Sequence, residues 1–250
     1  MNNIKDGYNV EPKKLRHELA KEYSIKSNIL KLCKLNFELI DNDRVLLVEV
    51  KDKDSTGTFK MPSFITDIDC GYNEAGLFSQ CKFTKIDLGN TKLYNYNRRI
   101  KNTRSMFAEC INLQEVNLGG LNTDGLCDTS YMFYKCKNLK HIDLSNFDAE
   151  ILQDLTCMFV YCDKLENITW CKNKSNVDIE MMCTFHKCES LSSLDLSCFR
   201  FNGSSDLKQA FMFCKSLKRI RFAKTFKLGN LEYKVVNESN DTIDVDIYNI

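Results

Sequence analysis

The sequence predicts an α/β repeat solenoid. Short helices and a parallel β-sheet stack rung on rung, with hairpin-like segments closing both ends. Three observations predict it. Five cysteines, Cys110, Cys136, Cys162, Cys188 and Cys214, stand 26 residues apart. Each has a phenylalanine three places before it (Phe107, Phe133, Phe159, Phe185, Phe211) and a leucine three places after it (Leu113, Leu139, Leu165, Leu191, Leu217). Each leucine is followed by an aliphatic residue (Val116, Ile142, Ile168, Leu194, Ile220) and, two further on, by a large apolar one (Leu118, Leu144, Trp170, Leu196, Phe222).

Residues 1–57 are expected to form a helical segment and a capping hairpin. Leu15, Leu19 and Tyr23 have helical spacing between Glu11 and Lys34, with Pro12 in the first turn. Residues 34–50 alternate apolar and polar around a polar turn, Asp41-Asn42-Asp43-Arg44. The solenoid itself spans 58–226. Residues 227–250 alternate in "YKVVN" and "TIDVDIYNI" and are read as a hairpin over the last rung. A stack needs such ends, since a terminal rung would otherwise expose its core.

Within a rung, Leu155, Phe159 and Cys162 fall at i, i+4 and i+7, one face of a helix. Asp128, Asp154 and Asp206, five places before the phenylalanine, are expected to cap it. The period then changes to two at Ile142 and Leu144, which reads as a short strand with one buried face. A polar return follows. No unit can bury its apolar edge alone, so stacking is what makes the core.

The cysteine column admits three readings. Free thiols would pack as small hydrophobes. Rungs about 5 Å apart would also allow a disulfide ladder. A metal site is the third, although no CxxC pair or Cys/His cluster occurs in the sequence. Free thiols in a reducing compartment fit best with thirteen cysteines, an odd number. The first thirty residues hold no signal-peptide core, and no stretch approaches the roughly 18 apolar residues of a membrane span. The expected compartment is the cytosol. Oligomeric state is not set by any of these features.

The segments "SMFAECINLQEVNLGG", "YMFYKCKNLKHIDLSNFD" and "TFHKCESLSSLDLSCFR" resemble the BspA-type leucine-rich repeats, which run MFxxCxxLxxLDLSxF. The likeness is strong over about 101–226. It is weaker over 58–89, where "FKMPSFITDI" leads into Phe78, Cys81, Ile86 and Leu88. The resemblance implies a leucine-rich-repeat solenoid, a protein-binding or adhesive role and no catalytic residues. It also assigns Asp143 and Asp195, at the "DLS" position, to the repeat itself. Many relatives of this type are anchored at the cell surface, which makes surface adhesion the alternative reading.

A formal charge of +1 gives no global pull toward nucleic acid or acidic lipid. The charge is uneven, however. Lys92, Arg98, Arg99, Lys101 and Arg104 carry no acid among them and interleave with Tyr94 and Tyr96. Lys218, Arg219, Arg221 and Lys224 form a second basic run. These eleven residues are the candidate partner-binding set, for an acidic protein surface or for nucleic acid. The outward positions of the strands, including Lys85, Glu115, His141, Cys171, Ser193 and Arg219, are expected to face solvent.

No nucleophile motif or Gly-rich phosphate loop occurs. His186, between Phe185 and Cys188, is expected to be exposed; His141 neighbours Asp143, but a Cys–His nucleophile needs convergence with an orienting group, and Cys136 is assigned to the core. No catalytic residue, cofactor or metal is expected. The function expected is a non-catalytic protein–protein interaction module, a cytosolic binder or inhibitor of a cellular protein. A phage- or pathogen-encoded counter-defence effector is one such binder.

Overall fold

A computed structural model describes residues 35–41, 44–63, 65–69, 76–94, 101–201, 205–223, 233–238 and 242–247. The expected helix over Glu11–Lys34 lies outside them, apart from the hairpin it leads into. The described chain is a parallel β-solenoid, and it contains no helix among the described residues.

The strands run in chain order. The first two are β1 (Leu35–Asp41) and β2 (Arg44–Val50). Then come β3 (Thr58–Lys60), β4 (Asp67–Asp69), β5 (Lys85–Asp87), β6 (Lys92–Tyr94) and β7 (Lys101–Asn102). Next are β8 (Glu115–Asn117), β9 (Leu126–Asp128), β10 (His141–Asp143), β11 (Asn167–Thr169) and β12 (Ser193–Asp195). The last three are β13 (Arg219–Ala223), β14 (Tyr233–Glu238) and β15 (Thr242–Ile247).

Four of the parallel ladders share one register. Phe59 pairs with Ile86 and Ile86 with Val116. Ile142 pairs with Ile168, and Leu194 with Ile220. These central residues turn inward, and their neighbours on either side point away from the core. β10 and β12 each end in a tight turn closed by the strand's own last side chain: Asp143 Oδ1 accepts the Ser145 N–H at 2.8 Å, and Asp195 Oδ1 accepts the Ser197 N–H at 3.0 Å. Both hydrogen bonds from Ser145 hold the Asp143 carboxyl below its ordinary pKa. The aspartates therefore serve the repeat.

The rest of the rung departs from expectation. In place of helices, the chain forms linked turns. Met132, Tyr134 and Cys136 each donate N–H to the carbonyl three residues back (Thr129, Tyr131 and Phe133). The intervening residues Tyr131, Phe133 and Lys135 donate to the next rung, to Thr156, Met158 and Val160, at 2.7–3.0 Å. An α-helix sends every N–H to its own i−4 carbonyl and leaves none for a neighbour. Here alternate amides are given away, and the rungs are thereby tied. The geometry requires left-handed backbone at two places per rung: φ is 58° at Tyr131 and 59° at Lys135, 57° at Cys157 and 60° at Tyr161, 56° at Cys183 and 62° at Lys187. No glycine sits at these six positions, so each costs about 1–2 kcal/mol. The inter-rung hydrogen bonds and the buried rings offset that strain. The leucine-rich-repeat form with a helix in each unit is thus corrected to a turn-built β-solenoid.

Asp128, Asp154 and Asp206 do close turns, each accepting the N–H two residues on, at 2.7–2.8 Å. Asp128 and Asp154 also stand in a second ladder of single bridges, Asp128 to Asp154 and Asp154 to Glu180.

The core is one continuous cluster of columns. Phe78, Phe107, Phe133, Phe159, Phe185 and Phe211 stack face to face, with centroids 5.3–5.8 Å apart and planes within 15°. Beside them runs the cysteine column, fully buried. Each thiol donates to the carbonyl of the preceding rung's phenylalanine: Cys110 to Phe78, Cys136 to Phe107, Cys162 to Phe133, Cys188 to Phe159 and Cys214 to Phe185, at 2.9–3.1 Å. The disulfide ladder is not formed, and the eleven described cysteines are all free.

At the N-terminal end, the antiparallel pair β1–β2 joins β4 through β2. Arg44 binds both carboxylate oxygens of Asp67, which is fully buried, and lies 5.0 Å over the Tyr94 ring. At the other end β15 pairs with β13 and β14 with β15, both antiparallel.

Candidate interaction surface

The turn staircase gives the molecule an edge that the sequence pattern did not announce. Between each core phenylalanine and its cysteine the chain passes over the outer rim, and an aromatic side chain stands there on four successive rungs. Tyr134 meets Tyr161 edge to face at 6.5 Å, Tyr161 meets His186 at 5.9 Å, and His186 meets Phe213 at 5.4 Å. Tyr131 adds a further edge contact to Tyr134 at 5.8 Å. Among the described residues, Phe213 and Met212 are large apolar side chains left exposed, at 44% and 37%.

Cations sit on the same rings. Arg104 lies 5.3 Å over Tyr131, Lys135 4.8 Å over Tyr134 and Lys187 5.0 Å over Tyr161. Each such contact is worth about 0.5–1 kcal/mol at an exposed site. Lys135 also donates to Glu109 at 2.8 Å, which holds the Glu109 carboxyl below its ordinary pKa. His186 is half-buried, not exposed as expected. Burial first, and then the Lys187 charge, pull its pKa below the ordinary value, which favours the neutral ring. The rim is a row of amphipathic rings carrying positive charge. Tyr and Arg are enriched where binding energy concentrates at protein interfaces.

The predicted basic residues divide between distant places. Lys92 is exposed on β6, whose backbone pairs with Asp67 and, by a single bridge, Asn122. Tyr94 is half-buried under Arg44. Lys101 is half-buried, and its Nζ donates to Asn122 Oδ1 at 3.3 Å. Arg104 alone of this group joins the rim. Tyr96, Arg98, Arg99 and Lys224 lie outside the described residues. Lys218, Arg219 and Arg221 are exposed at the C-terminal end of the stack. Arg221 reaches Asp195 at 3.4 Å, and the β13–β15 register sets Arg219 opposite Asp246 and Arg221 opposite Asp244. The structure does not bring the two runs together, and the second has acidic positions interleaved with it.

The sheet face is charge-balanced as well. Lys85 pairs with Glu115 at 2.8 Å, and exposed pairs of this kind contribute about 0–1 kcal/mol. A shallow groove of about 500 Å³ crosses it, lined by Lys85, Glu115, His141, Asp143 and Asn167 among others. The groove lies at the β8–β10 junction, where the described residues form no backbone ladder. Cys171, expected on this face, is buried beside Cys198.

Sequence reasoning had a signal for the rim and passed over it. "FYKC", "FVYC", "FHKC" and "FMFC" each place an aromatic residue between the two core positions. Its place alternates between one and two residues before the cysteine, so no fixed column appears in an alignment of the rungs.

Residues 73–199 and 136–233 match the family described as "Mycoplasma protein of unknown function, DUF285", and together they cover more than half of the chain. The chain belongs to this family. No curated protein and no solved structure matches it. The family match covers the rungs that carry the aromatic rim, from Arg104 to Phe213, and the family's description assigns no activity. Among the described residues no helix is long and apolar enough to cross a membrane, and no group of three or more His, Cys, Asp or Glu side chains is placed to hold a metal ion.

Proposed function

We propose that this chain is a non-catalytic protein-binding module whose docking edge is the aromatic rim. One observation carries the reading: four rungs in succession present an aromatic ring at the same edge, and cations lie over that row. Rigid rings lose little side-chain entropy on binding, and a row spaced by the rungs suits an extended partner surface. The cations favour a partner bearing carboxylates beside apolar groups. The resemblance to BspA-type repeats supports the same class of role. The reading includes action in the cytosol as a binder or inhibitor, supported by the thiol donors of the core column, which a reducing compartment preserves. A pathogen effector directed at a cellular protein is one form of that role.

The test is affinity capture with the tagged full chain from cells that express it, beside a Tyr134→Ser, Tyr161→Ser variant. The reading expects a protein retained by the natural chain and reduced at least tenfold with the variant. Equal retention by both, or none by either, would overturn it.

Nucleic acid is the second reading, favoured by Arg104 and Lys187 lying over aromatic rings. Phosphate contacts strengthen as salt falls. An RNA or DNA gel shift at low ionic strength, lost as salt is raised, would support this reading over the first.

A further inference from the structure

Cys171 and Cys198 differ from every core-column thiol. Their sulfurs lie 3.5 Å apart, thiol against thiol, where each column thiol is committed to a backbone carbonyl. Cys171 directly follows Trp170, just past β11, and Cys198 stands shortly after β12. Among the described residues no backbone ladder joins β11 to β12, although the strands are neighbours in the stack. The pair therefore joins the two rungs just past the ends of these unladdered strands. Cys171 is buried and Cys198 is partly buried against the core, so Cys198 is the member of the pair nearer to solvent.

We propose that Cys171 and Cys198 form a dithiol site that reacts with a low-molecular-weight disulfide and closes into a disulfide between the β11 and β12 rungs. One thiolate of the pair attacks the incoming disulfide. A mixed disulfide forms, and the first small thiol leaves carrying the proton that the cysteine lost. The second cysteine then attacks its neighbour's sulfur in the mixed bond and releases the second small thiol. The two cysteines are oxidised by two electrons, and the small disulfide is reduced to two thiols. Closure requires the sulfurs to approach by roughly 1.5 Å, which side-chain rotation supplies between rungs about 5 Å apart. The hydrogen bond from Cys198 favours the Cys171 thiolate and keeps Cys198 protonated, which provides one nucleophile at the pair. By contrast, burial pushes the column thiols up, Cys214 to about 12.

The site has a built-in reporter. Trp170 is the only tryptophan in the chain, and it packs against Phe199 at 4.9 Å, so the residues next to both cysteines touch. A disulfide formed there is expected to quench its fluorescence.

The test incubates the full folded chain with oxidised glutathione and follows Trp170 emission, intact mass and peptide maps. The proposal expects a loss of two mass units, a Cys171–Cys198 cross-linked peptide, quenching reversed by dithiothreitol and a rise in Tm of several degrees. Cys171→Ser and Cys198→Ser are each expected to abolish the cross-link and the reversible quenching, with secondary structure intact. A stable glutathione adduct on the natural chain, a cross-link mapping to Cys157 and Cys183 instead, or no mass change would each overturn it.

Discussion

The Cys162 thiol donates to the Phe133 carbonyl oxygen at 3.1 Å, and the same oxygen accepts the Cys136 N–H at 3.0 Å. One buried carbonyl is thus satisfied twice, once within its own turn and once by the rung above. This explains a column of cysteines where leucine or alanine would otherwise serve. The side chain must be small enough to stack every rung and still supply a weak donor.

Cys162→Ala removes only the second of those bonds. It should cost about 1 kcal/mol in denaturant unfolding. Cys162→Leu overfills the column and should cost about 1–3 kcal/mol. Native-state thiol titration should leave the Cys162 sulfur unreacted, since burial raises its pKa far above that of a free thiol.

Phe159 lies between Phe133 and Phe185 in the ring stack. Phe159→Ala should cost about 3–5 kcal/mol. A loss below half a kcal/mol would contradict the register.

Trp170 fills a volume that two residues fill elsewhere. Neighbouring rungs pair Leu144 with Phe147 and Leu196 with Phe199, all buried, whereas this rung pairs Trp170 with an exposed Asn173. The indole N–H is buried without a partner, which weakens the solution somewhat. Trp170→Leu should cost about 2 kcal/mol through the cavity it leaves. Adding Asn173→Phe should recover at least half of that, measured as a double-mutant cycle with a favourable coupling.

Ser105 has φ of 55° at the first left-handed place of its rung. Ser105→Gly should gain up to about 1 kcal/mol by relieving strain, while Ser105→Val should lose more than that. Helical geometry at this place would reverse the order, because glycine is the poorer helix residue.

Burial and the Lys187 charge lower the His186 pKa, so its folded pKa lies below the unfolded one. The unfolded chain then binds more protons in the window between the two values. Stability contributed here is fully present above the unfolded pKa and is lost as pH falls toward the folded one. Thermal unfolding from pH 7 to 5 should show this loss, and His186→Gln should remove it.

How much of this was legible depends on the residue. Leu155, Phe159 and Cys162 are all buried, as their spacing implied, and the strand at Ile142 pairs as its alternation implied. The conformation of the first segment was not legible. Apolar residues at i, i+4 and i+7 share a face in a helix, but they also share one on a staircase of turns. The difference lies in where alternate amides go, and only the neighbouring rung supplies those acceptors. Cys171 was misplaced for a related reason: alternation predicts its side only while the strand continues, and β11 ends two residues earlier at Thr169. The rim was missed because its aromatic residue shifts by one place from rung to rung.

The placement of every surface residue discussed follows from rungs built of linked turns in register. Far-UV circular dichroism of the purified chain tests that claim most directly. The account predicts a β- and turn-type spectrum with a single minimum. The paired minima of α-helix, at a strength matching a helix in each repeat, would contradict it.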